Sequence, residues 1–126
     1  MRLVFTMLLC MHVFNAYAGD GHSLKKSCIE AERLWSGKIG DKEQGFYCVG
    51  LLKGVVSVMT ITANSSDKET ANHLGMCNKE KPQHFITTEK SIETVLKYLY
   101  SNPDKLNQQD FSIAMQAMQK GFPCTK

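Results

Sequence analysis

The sequence has little excess of either charge and no long basic run. Its 15 Lys and Arg stand against 12 Asp and Glu, a formal net charge of +3, and its longest basic cluster is the pair Lys25-Lys26. This distribution gives no indication of nucleic-acid binding. The chain has 126 residues, of which 43% are hydrophobic. That size and composition are typical of one globular domain rather than of several domains or a disordered segment.

The sequence also lacks the spacing of a metal site and the motifs of an enzyme nucleophile. No two cysteines form a CxxC pattern. The one pair with ligand-like spacing, His73 and Cys77, is weak evidence for zinc. No Ser, Cys or His lies in a recognisable nucleophile motif. We therefore predict that the protein is not an enzyme and uses no metal or cofactor.

Residues 1–18 have the pattern of a secretory signal. Arg2 is followed by an apolar stretch from Leu3 to Phe14 and then by Ala16-Tyr17-Ala18. This pattern predicts cleavage after Ala18. The predicted exported protein is a single domain, 19–126.

We predict no membrane anchor. The apolar stretch of the signal is shorter than the roughly 20 residues that a spanning helix needs, and we expect no later segment to supply one. Cys10 follows Leu9, whereas a bacterial lipoprotein site would have a small residue at that position. A lipid anchor is therefore not expected either.

Four segments carry helical periodicity, and no segment shows sustained strand alternation. In the first helix we expect Trp35 to be a core residue. In the second, Gly50 and Gly54 indicate close contact with another backbone or, alternatively, local tolerance of glycine. The two apolar stripes are Leu24, Cys28, Ala31 and Trp35 in a helix from about Ser23, and Cys48, Leu52, Val55 and Met59 in a helix from about Asp41 to Thr60.

The other two helices follow a long polar segment, 62–86, in which we expect at most a short helix at about 68–74. His73 and His84 are expected there as solvated residues, with pH sensing as the alternative. The helices after this segment are predicted from N-cap residues and apolar stripes. These are Thr88 with Ile92, Val95, Leu96 and Leu99, and Asn107 with Phe111, Ala114, Met115 and Met118.

The sequence therefore predicts an all-α fold, a small bundle of about four helices plus a long loop. Four cysteines remain after cleavage, and an even number in an exported chain is typical of two disulfides. Of the three possible pairings, the layout favours Cys28 with Cys48, which ties the first two helices together, and Cys77 with Cys124, which ties the loop to the tail. Each link stabilises the fold by about 3 to 4 kcal/mol.

An ordered set of short segments resembles the Rap/Tai family, the periplasmic immunity proteins of bacterial type VI secretion amidase effectors. The resemblance covers nearly the whole predicted domain. It is carried by a cysteine in the first helix, Phe46 through Val55, Thr88 through Val95, Tyr98-Leu99, Asn102-Pro103 and the closing Gly121-Phe122-Pro123-Cys124.

The resemblance implies a small helical homodimer that inhibits a cell-wall amidase by occluding its Cys/His catalytic cleft in the periplasm. The implied activity is inhibition, and the implied partner is the amidase effector. An inhibitor of a cleft enzyme needs a rigid scaffold and a protruding loop. Two turns offer candidate effector-binding side chains, with ordinary solvated turns as the alternative reading of each. The candidates are Asn102, Asp104, Lys105 and Asn107 in one turn and Asp67, Lys68 and Glu69 in the other.

Two other functions fit a small, exported, disulfide-linked helical protein. A periplasmic acid-stress chaperone would have the same general features and would unfold or dissociate at low pH. A carrier of small hydrophobic ligands, like the insect odorant-binding proteins, is disfavoured because their Cys-x3-Cys and Cys-x8-Cys spacings are absent.

Overall fold

We describe the protein from a computed structural model that covers residues 19–79 and 86–124. The predicted signal peptide, Cys10 and His84 lie outside the described residues. Within them the chain forms five α-helices and one 3-10 turn, which confirms the predicted all-α fold. The elements are α1 (Gly21–Trp35), α2 (Lys42–Ala63), α3 (Lys68–Leu74), α4 (Thr88–Ser101), the 3-10 turn (Pro103–Lys105) and α5 (Asp110–Gly121).

The four long helices enclose one core, in which α1 packs on α2 and α4, and α5 packs on α4. The stripes predicted for the first two helices are buried, except at Trp35, and Ile113 and Ala117 join the core from α5. The short α3 packs on α2. Its bounds are those predicted for a short helix in the long polar segment.

Two predicted core residues lie at the surface. Trp35 is 38% exposed because α1 ends there, and its ring meets the edge of Phe46 with the centroids 6.5 Å apart. Phe111 is 45% exposed. The buried stripe of α5 starts at Asp110 and continues through Ile113, so that Phe111 lies about 100° away around the helix.

Two predicted N-caps are displaced. Thr87 caps α4 by accepting a hydrogen bond from the backbone of Lys90 (3.2 Å), one residue before the predicted cap. Asn107 does not cap α5, which begins after Gln109. The chain keeps turning there because the N–H of Gln108 donates to the carbonyl of Lys105 (2.9 Å).

Within the described chain, neither Gly50 nor Gly54 is in close contact with another backbone. A Cβ at either position would meet nothing within 4 Å. Both glycines lie on the face of α2 opposite its buried stripe, so a close backbone contact at these positions would have to come from another molecule.

Both predicted disulfides are present. Cys28 and Cys48 join α1 to α2 inside the core, with their Cα atoms 5.1 Å apart. Cys77 and Cys124 join the chain after α3 to the chain after α5, with a Cα separation of 4.8 Å. Because the Cys77 sulfur is in a disulfide, it is not free to bind zinc together with His73.

The expectation that no segment after the signal could span a membrane is wrong by composition. α2 is long and apolar enough to cross a bilayer. Core helices of water-soluble domains meet the same criterion, and α2 buries one face in the core and is cross-linked there to α1. The apolar residues of that buried face therefore have a structural cause within this fold.

Candidate functional site

The turn between α4 and α5, residues 102–109, is a firmly held surface feature. The Asn102 side chain donates to the carbonyl of Tyr98 (2.8 Å), and the N–H of Lys105 donates to the carbonyl of Asn102 (3.0 Å). Pro103 opens the 3-10 turn that follows. The backbone therefore leaves α4 along a path fixed by hydrogen bonds and by the restricted φ of proline.

The far side of this turn is tied to α1 and α5. The N–H of Gly21 donates to the carbonyl of Gln108 (3.0 Å), and the side chain of Gln116 donates to that of Gln108 (3.2 Å). The Tyr98 hydroxyl donates in turn to Gln116 (2.9 Å). Three helices thus position a turn on which the side chains of Asp104 and Asn107 are exposed.

The predicted effector-binding side chains on the turn carry balanced charge. Asp104 and Asn107 are exposed, Asn102 and Lys105 are half-buried, and the Lys105 ammonium lies 3.9 Å from the Asp104 carboxylate. Such an exposed pair adds little stability. Burial, and secondarily the charge of Asp104, raises the pKa of Tyr98. The carboxylate and ammonium groups remain available to a partner.

The second predicted turn is used differently. Asp67 caps α3, accepting hydrogen bonds from the N–H of Glu69 (3.1 Å) and the hydroxyl of Thr70 (2.5 Å). The Thr70 hydroxyl first, and then the Glu69 N–H, lower the pKa of Asp67. Lys68 and Glu69 are exposed. The carboxylate of Asp67 therefore has a local structural role, whereas its two neighbours have no such role in the described contacts.

The structure does not bring the two turns together. Residues 102–109 lie at the start of α5, and the segment after α3 lies at its end, where the N–H of Cys77 donates to the carbonyl of Phe122 (2.9 Å). α5 has 12 residues, which corresponds to about 18 Å at about 1.5 Å per residue. In the described part of the chain, no hydrogen bond or ion pair joins residues 67–69 to residues 102–107.

A third surface, the open face of α2, was missed by the sequence analysis. It is almost uncharged, since Lys53 is its one charged residue. It also continues past Phe46 to Trp35, whose ring contacts Phe46. Ile39, in the segment between α1 and α2, is 92% exposed. The signal was present, because the apolar residues of α2 surround the whole helix instead of one stripe. The exposed residues from 46 to 61 are Phe46, Tyr47, Gly50, Lys53, Gly54, Ser57, Val58 and Ile61.

Residues 20–124 match the family described as Rap1a immunity proteins. The chain belongs to the Rap1a immunity protein family. The match confirms the resemblance drawn from the short segments, and it includes both disulfides, both candidate turns and the open face of α2. Comparison with curated proteins and with solved structures finds no match.

Membership of the Rap1a family directs attention to surfaces that bind proteins rather than to a reaction centre. Among residues 19–79 and 86–124, no group of three or more His, Cys, Asp or Glu is placed to hold a metal ion. Among these described residues, the groups with a shifted pKa are Asp20, Tyr47, Asp67 and Tyr98. Each shift has a cause in hydrogen bonding or burial within the fold.

Proposed function

We propose that this member of the Rap1a family binds and inhibits a peptidoglycan amidase delivered by a type VI secretion system, and that it does so in the periplasm by occluding the catalytic cleft. The observation that carries the proposal is the family match over residues 20–124. The match begins at the second residue of the predicted exported chain, which supports export of the matched domain. Two disulfides are consistent with an oxidising destination.

The turn 102–109 is the better candidate for insertion into a cleft. It is braced by α1, α4 and α5, so that little conformational entropy is lost when it is bound. The charged groups of Asp104 and Lys105 lie 3.9 Å apart, and neither side chain caps a helix. At the other turn, Asp67 is already engaged as the cap of α3.

Charge reversal on each turn tests this assignment. The double variant Asp104→Lys with Lys105→Glu should weaken binding to the cognate amidase by at least tenfold, because it opposes the partner's charges in a desolvated contact. The matched control, Lys68→Glu with Glu69→Lys, leaves the Asp67 cap intact and should change the Kd by less than about twofold. Kd and inhibition of peptidoglycan hydrolysis are measured together. A larger loss of affinity in the Lys68, Glu69 variant than in the Asp104, Lys105 variant would assign the contact to α3 instead.

We also propose that two copies pair through the open face of α2. This face exposes Phe46, Val58 and Ile61 on one helix, and the open space at Gly50 and Gly54 lets a second helix approach closely. Contiguous apolar surface of this kind is typical of interfaces. A two-fold pairing would place the same face on both sides of the contact.

Light scattering tests the pairing. Val58→Lys with Ile61→Glu should halve the mass of a dimeric protein. Lys97→Glu, an exposed change on α4, should leave the mass unchanged. A dimer that survives the α2 substitutions would place its interface elsewhere, and a monomeric wild-type protein would refute the pairing.

The open face of α2 also supports one alternative function, an acid-stress chaperone that holds unfolded proteins. A chaperone would suppress aggregation of unrelated proteins at low pH, and this suppression would be lost in the Val58→Lys, Ile61→Glu variant. The inhibitor predicts no such suppression. The two functions therefore differ in a single assay on purified protein.

A further inference from the structure

Asp110 is a buried carboxylate in the first turn of α5, with 4% of its surface exposed. Its Oδ2 accepts a hydrogen bond from the Tyr47 hydroxyl, and its Oδ1 accepts one from the N–H of Phe111 (2.6 Å). None of the ion pairs in the described part of the chain involves it. The charge is thus buried without a cationic partner among those residues.

Gly19 lies directly against this carboxylate. Its carbonyl accepts a hydrogen bond from the N–H of Asp110 (2.9 Å), which fixes the glycine beside α5. A Cβ on Gly19 would lie 2.6 Å from Asp110 Oδ2, 2.9 Å from Ser23 Oγ and 3.0 Å from Tyr47 Oη. These distances are too short for a carbon atom but are close to those of hydrogen bonds from a nitrogen, the shortest being to the carboxylate.

Each of the three oxygens has a lone pair to offer. Ser23 Oγ accepts from the N–H of Asp20 (2.9 Å) and donates to its carbonyl (2.8 Å), which leaves one acceptor position. The Tyr47 hydroxyl donates its proton to Asp110 and keeps its lone pairs free for other donors. The position next to Gly19 is therefore a cradle of three acceptors, one of them a carboxylate.

We propose that this cradle, formed by Asp110, Ser23 and Tyr47, binds the α-ammonium group of Gly19 once residues 1–18 are removed. The inference rests on the proposed cleavage after Ala18. Hydrolysis of the Ala18–Gly19 peptide bond by a signal peptidase consumes one water, leaves a carboxylate on Ala18 and frees the amine of Gly19, which is protonated at neutral pH. Rotation about the Cα–C bond of Gly19 then moves this nitrogen to the Cβ position.

The uncleaved chain cannot make these contacts. In the precursor the nitrogen of Gly19 belongs to a planar amide, which carries one N–H and no charge. After cleavage the same nitrogen carries three donors, which match the three acceptors, and a charge opposite to that of Asp110. Processing would therefore lock the new N-terminus to the start of α5 and stabilise the exported form specifically.

A double-mutant cycle on purified, oxidised protein tests the proposal without any effector. One pair of proteins begins at Gly19 or at Ala18, with the N-termini verified by mass spectrometry. The extra residue moves the ammonium one Cα step, about 3.8 Å, from the cradle. A second pair carries Asp110→Asn, and a third carries Asp104→Asn as the control at an exposed carboxylate. Urea unfolding gives the equilibrium constant of each.

The Gly19 form should have an unfolding constant about tenfold smaller than the Ala18 form, as expected for one charge-assisted interaction. The ratio should fall below about twofold with Asp110→Asn and stay near tenfold with Asp104→Asn. If Asp110→Asn does not fold, Tyr47→Phe replaces it and should reduce the ratio at least threefold. Equal stability of the Gly19 and Ala18 forms, or a ratio unaffected by the Asp110 or Tyr47 change, would overturn the proposal.

Discussion

We expect the stability lost on removing each disulfide to depend on the burial of its cysteines as well as on the length of the loop that it closes. The Cys28–Cys48 link closes a loop of 20 residues and the Cys77–Cys124 link one of 47. The loop-entropy relation gives about 3.3 kcal/mol for the first and about 4.1 kcal/mol for the second. By entropy alone, loss of the Cys77–Cys124 link should cost more.

Burial reverses this order. Cys28 and Cys48 are completely buried in the core, whereas Cys77 and Cys124 are half-buried. Replacing both core cysteines with alanine also removes two packed sulfur atoms, at about 0.8 kcal/mol each. The expected cost is then about 5 kcal/mol for Cys28→Ala with Cys48→Ala, against about 4 kcal/mol for Cys77→Ala with Cys124→Ala.

Urea unfolding of the two double variants and of the oxidised parent measures these costs. A loss of about 5 kcal/mol is a large share of the stability of a domain of this size, so the core variant should be marginally folded at 25 °C. The reasoning is refuted if the Cys77–Cys124 variant is the less stable of the two. Reducing the parent with dithiothreitol should give a protein less stable than either variant.

Three further predictions concern single side chains. Trp35→Ala should cost less than about 1.5 kcal/mol in urea unfolding because Trp35 is 38% exposed, whereas Leu52→Ala, in the core, should cost about 2 to 5 kcal/mol. Gly54→Ala should stabilise the monomer by up to about 1 kcal/mol, since the position is helical and open, and should weaken the α2 pairing seen in light scattering. The hydrogen bond to Asp110 first, and then burial and the charge of that carboxylate, raise the pKa of Tyr47 to about 12. The stabilisation from Tyr47 is therefore complete below the ordinary tyrosine pKa of 10.0 and is lost as the pH rises through about 12. Urea unfolding measured at a series of pH values should show this loss in the parent protein and not in Tyr47→Phe.

Most of the fold could be predicted from the hydrophobic periodicity and the number of cysteines. The stripe Cys48, Leu52, Val55 and Met59 predicted a helix through a run of β-branched residues, and all four side chains are buried on that helix. Its period outweighed local propensity because burial of a continuous apolar face stabilises a helix more than β-branching destabilises it. The even number of cysteines after the signal predicted two disulfides, and the helix layout predicted their pairing.

Positions that depend on where one helix meets another could not be predicted. Periodicity shows which residues share a face of a helix, but not how much of that face other helices cover. Trp35 and Phe111 were therefore predicted to lie in the core. The burial of Asp110 arises from Gly19 and Tyr47, which are distant from it in sequence and adjacent in space. The open face of α2 was missed because the sequence does not show which face of a helix is left without a neighbour in the same chain.

The difference between the two candidate turns could not be predicted from the sequence either. Both turns are polar and follow helices, and composition gives no reason to prefer one. The structure distinguishes them through their hydrogen bonds, since the carboxylate of Asp67 caps α3 whereas that of Asp104 does not cap a helix. This difference is the basis for assigning the partner contact to residues 102–109.

Survival of cells whose periplasm receives the amidase tests the central claim most directly. The full-length protein is expressed beside a version that lacks residues 1–18 and starts at Gly19 after removal of its initiator Met, and survivors are counted. The inhibitor acts only where the amidase cuts the cell wall, so the full-length protein should rescue the cells and the cytoplasmic version should not. Equal rescue by both versions would contradict inhibition in the periplasm. Failure of the full-length protein to rescue, despite its export with both disulfides formed, would contradict its assignment as the immunity protein of that amidase.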